Sequence, residues 1–142
     1  MKWLRWALVA LTGLYALMSC MPAFSTLAYK FGVRYPDGML AETEPLMIAT
    51  TTPILTMWMA ALVLYVAAAV MLATRKGKAF AAYALAFGVD LSIWLMMSGT
   101  EAYAQVFPPD QRTMDLAYMA VLVLIGFGYW WVERKSAAPA AA

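Results

Sequence analysis

Histidine is absent from the 142 residues, and cysteine occurs once, at Cys20. Without an imidazole the chain has no axial ligand for haem or for the magnesium of chlorophyll. It also lacks a nitrogen ligand for zinc and a histidine base titrating near neutral pH. A single thiol excludes an intramolecular disulfide, paired-cysteine metal sites and dithiol redox chemistry. Charge is scarce too: 13% of residues are Asp, Glu, Lys or Arg, against about 25% in ordinary soluble domains. The net charge of +2 marks no basic patch, so nucleic acid is not expected as a partner.

What the chain has instead is apolar length, with 65% hydrophobic residues. Four stretches, residues 4–23, 46–73, 79–98 and 114–132, each reach the ~18 to 20 residues that cross a ~30 Å hydrocarbon core as a helix. The expected fold is therefore all-α: an integral membrane four-helix bundle forming one transmembrane domain over residues 1–142. The charges orient it. In a four-span arrangement Lys2, Arg5, Arg75, Lys76, Lys78, Arg134 and Lys135 fall on one side, and Lys30, Arg34 and Arg112 on the other. The basic side is expected to be cytoplasmic, with both termini there, as in a multi-pass protein of a bacterial inner membrane. Trp3, Trp6, Tyr129, Trp130 and Trp131 then form one interfacial belt, and Tyr103, Phe107 and Tyr118 the other.

The connections differ in length. A first outer loop, 24–45, carries the turn signal Pro36-Asp37-Gly38. Before that turn, Phe24, Leu27, Ala28 and Phe31 have the spacing of a short interfacial helix. Glu42 and Glu44 precede Pro45 and suit the start of the second span, whose length of about 28 residues predicts tilt or a kink at Pro53. The basic segment Thr74–Lys78 is short enough to make spans two and three an antiparallel hairpin. Asp110 is placed to cap the fourth helix, and the Ala-rich tail 136–142 is expected to be flexible. The run Leu17-Met18-Ser19-Cys20 has the form of a lipoprotein cleavage site, but Met18 fits that pattern poorly. The first stretch is expected to stay as a helix with Cys20 near its outer end.

Asp90 stands out. It lies about eleven residues, ~16 Å, into the third span, near the bilayer midplane. An ionised carboxylate there costs at least ~2.5 to 3.5 kcal/mol on insertion scales, and no Lys or Arg is deep enough to neutralise it, so a protonated, hydrogen-bonded acid is expected. Thr56 on span two and Tyr15 on span one reach similar depth and are candidate partners. Tyr83, Asp90, Trp94, Met97 and Glu101 share one face by spacing, which puts Glu101 over Asp90 at the outer mouth. Asp90, Thr56, Tyr15 and Glu101 are thus a candidate ligand or proton site, with interhelical or intersubunit hydrogen bonding as the alternative role for the acid. Ala82 with Ala86, and Ala84 with Gly88, are small residues four apart that permit close helix packing. The twelve methionines read as adaptable core filling, and no metal site is expected.

The plan resembles that of the small DoxX-like four-helix membrane proteins. The likeness is carried by Met21-Pro22-Ala23-Phe24 closing the first span, Phe31-Gly32 in the outer segment, acidic residues before span two and the short basic hairpin. Phe87-Gly88-Val89-Asp90 in span three and Asp115 opening span four echo the same layout. Thr50-Thr51-Thr52-Pro53 stand where that layout carries an arginine and paired glycines. The resemblance implies the fold and a link to quinone or redox-complex partners, as small subunits. Two functions follow as expectations. The first is a non-catalytic accessory subunit of a larger respiratory or photosynthetic electron-transfer complex in the inner membrane, with other membrane subunits as partners beside the lipid bilayer. The second is a small homo-oligomeric transporter, or a small-molecule or quinone binder, that uses Asp90. Asp90, Glu101 and Asp115 do not make a set of nucleophile, base and orienting group, so an enzyme is not expected. No cofactor is predicted beyond a lipid or quinone.

Overall fold

The computed structural model describes residues 2–137. Its elements in chain order are α1 (Lys2–Lys30), α2 (Met39–Glu42), α3 (Glu44–Ala49), α4 (Thr52–Ala73), α5 (Ala79–Ser98), α6 (Glu101–Val106) and α7 (Gln111–Ala137). Among the described residues there is no strand. Four of the helices, α1, α4, α5 and α7, are long and apolar enough to cross a membrane. The most extensive pairing is α4 with α5, then α1 with α4, and α7 closes the bundle against α5 and α1.

Residues at spacings of three and four face inward from each long helix. Leu8, Thr12 and Ala16 meet Tyr65, Ala68 and Leu72 of α4 and Ala79, Tyr83 and Ala86 of α5. Leu122, Ile125, Tyr129 and Val132 of α7 complete this core. Large side chains such as Leu14, Leu17, Val63, Leu85, Leu124 and Phe127 point outward, as expected where the solvent is lipid rather than water. The close approach of α7 depends on lost side chains. A Cβ on Gly128 would lie 2.8 Å from Leu8 Cδ2, and one on Gly126 would lie 3.0 Å from Tyr83 Cε1. Of the small residues expected to pack, Ala86 is fully buried and Ala82 packs against the core, whereas Ala84 and Gly88 are exposed. A helix turns about 100° per residue, so a stripe two residues away from Ala82 and Ala86 faces the opposite side.

Three boundaries differ from the sequence reading. The first span does not end at Ala23, nor is there a separate interfacial helix after it. The helix continues through Pro22 to Lys30, with Ser25 and Thr26 donating back to the carbonyls of Met21 and Pro22 at 2.8 Å each. It stops at Gly32, where φ is +96°, in a two-bond helix-ending motif: Val33 N donates to Ala28 O at 3.1 Å and Gly32 N to Tyr29 O at 3.0 Å. The second span is not one long helix. Thr50 and Thr51 are extended, with ψ of 103° and 161°, and the Thr50 hydroxyl turns back to Leu46 O at 2.7 Å. Short polar side chains that bond their own backbone compete with helix propagation. Pro53 therefore sits in the first turn of α4, where its missing N–H costs nothing, and does not kink a longer helix. The remaining 22 residues give ~33 Å of helix. Finally, α7 runs on through Ser136, whose hydroxyl donates to Val132 O at 2.8 Å. The rest of the Ala-rich tail, 138–142, lies outside the described residues.

At the end of the bundle that carries both termini, α4 closes on Arg75 with φ of 57°, and α5 opens at Lys78 with φ of 72°. Left-handed conformations in non-glycine residues cost about 1 to 2 kcal/mol each. The cost at Lys78 is offset by Glu133 of α7. Its carboxylate accepts from Lys78 N, and from Phe80 N at 2.9 Å, an acidic cap supplied by a neighbouring helix. At the far end Asp110 starts α7 through its backbone carbonyl, accepting from Thr113 N at 3.0 Å and Met114 N at 3.3 Å, in place of the expected side-chain cap.

Candidate functional site

A cavity of about 550 Å³ opens in the half of the bundle away from the termini. Its floor is Asp90 and Tyr15. It is lined by α1, α4, α5 and α7 and, at its outer end, by α2, α3 and α6, as Met21, Trp58, Ile93 and Met119 and then Leu40, Met47 and Tyr103 show. The lining is mostly apolar. Two carboxylates, Asp90 and Asp115, take part, and no Lys or Arg does.

Asp90 is held by α1 and α4. The Tyr15 hydroxyl donates to Asp90 Oδ2, and the Tyr65 hydroxyl donates to the same oxygen at 3.2 Å. Among the described residues no donor is bonded to Oδ1. Beneath the acid runs a file of tyrosine rings. Tyr15 meets Tyr65 edge-on at 5.1 Å, Tyr65 meets Tyr83 edge-on at 5.4 Å, and Tyr83 stacks on Tyr129 at 4.7 Å. The last two hydroxyls are satisfied locally: Tyr83 donates to Leu122 O at 2.7 Å and Tyr129 to Thr12 Oγ1 at 3.1 Å. The file thus fixes the floor of the cavity to all four long helices, because each buried phenol needs both a ring contact and a hydrogen-bond partner.

Asp115 fixes the rim. Its Oδ2 accepts from Trp94 Nε1 at 2.9 Å and from the Tyr103 hydroxyl, and its Oδ1 accepts from Gln111 Nε2 at 2.8 Å. This ties α5, α6 and α7 together. Arg112 Nη2 adds a bond to Ser98 O at 2.7 Å. Desolvation, and then the bond to Asp115, push the Tyr103 phenol up to about 12, so it stays a donor throughout the neutral range. On the opposite wall, Tyr29 donates to Glu44 Oε1 at 2.7 Å, fastening α3 to α1.

Of the expected site residues, the structure brings Asp90 and Tyr15 together and leaves Thr56 and Glu101 outside. Thr56 is exposed, and its hydroxyl donates to Thr52 O at 2.9 Å. It has the right depth but the wrong bearing: two residues from Ile54 and two from Trp58, both of which line the cavity, it is about 200° around the helix from each. Tyr65, eleven residues after Ile54 and seven after Trp58, returns to their face. Glu101 is exposed because the helical phase breaks beneath it. Here α5 ends at Ser98, and Thr100 caps α6 by accepting from Tyr103 N at 3.2 Å. Sequence reasoning missed Tyr65, Trp58 and the triple acceptor role of Asp115. Facial spacing along α4 from Ile54, four residues to Trp58 and eleven to Tyr65, was the available signal for the first two.

Comparison of the chain with protein-family models, with curated proteins and with solved structures finds no match. The likeness to DoxX-like proteins accordingly rests on the sequence plan.

Proposed function

We propose that this is a multi-pass protein of a bacterial inner membrane that binds a small lipophilic molecule in the outer half of the bundle, with Asp90 as the polar anchor. One observation carries the reading: a cavity of about 550 Å³, largely apolar, that ends on a midplane carboxylate held by two tyrosines. Its volume falls in the ~300 to 1,000 Å³ range of small-molecule sites, and its lining has their usual form of apolar walls with a few convergent polar groups. A carboxylate is costly at that depth, and Tyr15 and Tyr65 orient it toward the cavity. The basic residues at the end of the bundle with the termini support a cytoplasmic position for that end.

The small residues Ala84 and Gly88 favour a second reading, that of an accessory subunit in a larger membrane complex. They face outward on α5, with open space where a Gly88 Cβ would be, and suit close packing by another helix.

Gentle-detergent purification of the tagged protein from its native membranes, followed by native mass spectrometry, separates the two. Binding predicts a small adduct that is lost when Ile54→Phe/Met97→Phe fills the cavity. Stoichiometric recovery within a large complex, unchanged by that variant and without an adduct, overturns the binding role in favour of the accessory one.

A further inference from the structure

We propose that the ligand of the cavity is a lipophilic organic cation of the protonated-amine class, with its N–H directed to Asp90 and its apolar body against the aromatic wall. This rests on the ligand-binding reading above and narrows it to one chemistry.

Six donors of the lining are already committed. The hydroxyls of Thr26, Thr43 and Thr50 donate to the carbonyls of Pro22, Leu40 and Leu46 at 2.8, 3.0 and 2.7 Å. Tyr15 donates to Asp90, while Trp94 and Tyr103 donate to Asp115. At the Asp90 end of the cavity, acceptor capacity remains. Both protein bonds to Asp90 fall on Oδ2, which leaves Oδ1 for an occupant of the cavity; an acid that is protonated in the empty site gives up its proton when it pairs with a cation.

A quinone or an ester brings carbonyl acceptors and no charge: it finds these six donors engaged, has Ser19, Trp58 and Tyr118 left to meet it, and offers nothing to Oδ1. An ammonium brings only donors and one positive charge. It meets two carboxylates and no Lys or Arg. A charge-assisted bond to carboxylate is about twice as strong as a neutral one. The indoles of Trp58 and Trp94, with Tyr15, add the ring surface to which cations and apolar groups both bind. Asp115 already accepts three bonds, so the ligand's nitrogen belongs at Asp90 and the aromatic body above it.

The test uses the full chain in nanodiscs and a pair of probes of the same shape, 1-naphthylmethylamine, protonated at neutral pH, and the uncharged 1-naphthylmethanol, with decylubiquinone as the carbonyl-bearing competitor. Binding is read by scintillation proximity with the tritiated probes, against empty nanodiscs. The expected result is saturable binding of the amine, tighter than the alcohol by roughly tenfold or more, with a ratio near one in Asp90→Asn. Both probes are lost in Ile54→Phe/Met97→Phe. Equal affinities in the unaltered protein, or tight decylubiquinone binding that the amine fails to displace, overturn the cation assignment while the cavity reading stands. No saturable binding of any of the three probes, or binding unchanged by the filled cavity, overturns both. The amine-to-alcohol ratio in the unaltered protein decides the assignment even where the Asn variant does not assemble.

Discussion

Removing the two hydroxyls from Asp90, singly and together, measures what holds the floor of the cavity. Tyr65 is 1% exposed and lies edge-on to Tyr15 and to Tyr83, so Tyr65→Phe keeps the ring contacts and deletes one O–H. Its 3.2 Å bond is long beside the ~2.7 to 2.8 Å usual for O–H···O. Its loss should cost near the ~0.6 kcal/mol average for interhelical bonds in membranes. Tyr15→Phe likewise deletes one O–H, and its cost should fall between that average and the ~1.7 kcal/mol upper end of the range. Both bonds fall on one oxygen, so either single variant leaves Oδ2 a donor, whereas the double variant leaves it none. An orphaned buried acceptor costs about 1 to 3 kcal/mol, and the double variant should therefore exceed the sum of the singles by about 1 kcal/mol or more. The assay is reversible unfolding in mixed micelles followed by tryptophan fluorescence, repeated in an Asp90→Asn background. Losses that add to within ~0.5 kcal/mol and are the same in both backgrounds would refute the shared-acceptor account.

Glu133→Ala removes both acceptors from Lys78 N and Phe80 N and should destabilise by about 1 to 2 kcal/mol, the upper range for loss of a helix cap. Glu133→Gln keeps one acceptor and should lose about half as much, measured by unfolding and by amide exchange at Phe80. Tyr103 titrates upward, from 10.0 to about 12, because its neutral form is the one that is buried and bonded to Asp115. The sign follows from linkage: its contribution is complete below pH 10 and is lost as pH rises toward 12. Tyr103→Phe should remove that part of the fall in stability across this window, and an identical alkaline slope in both proteins counts against the assignment.

The spans were legible because apolar length is a property of a whole segment. Lys2–Lys30, Ala79–Ser98 and Gln111–Ala137 contain the expected stretches, and Thr52–Ala73 covers the greater part of the expected 46–73. The ends were less so, since they depend on local bonds. Gly32 ends α1 through two backbone bonds, and Thr50 ends α3 through its own hydroxyl, neither of which hydropathy registers. Asp90 was legible from cost alone. Its partners required bearing as well as depth: Tyr15 met both conditions and Thr56 only one. Tyr65 was overlooked because a tyrosine inside a span reads as core until its face is compared with Ile54 and Trp58. Bearing also divides the small residues: Ala82 and Ala86 face the bundle, while Ala84 and Gly88 lie on the far side of α5.

The break between α3 and α4 connects these local details to the site. A continuous helix through residues 46–73 would keep Leu46, Met47 and Thr50 in register with Ile54 and Trp58, and its straight axis would run beside α5 for its whole length. Two extended threonines instead let α3 pack against α6 and α1, so that Leu46 and Met47 line the cavity from α3 while Ile54 and Trp58 line it from α4. The hydroxyl of Thr50, bonded to Leu46 O, and the proline in the first turn of α4 make that separation inexpensive in backbone hydrogen bonds. The extra room above Asp90 therefore follows from four residues, Thr50-Thr51-Thr52-Pro53. Their sequence alone reads as a defect in a span, and in the folded chain it places a roof over a carboxylate.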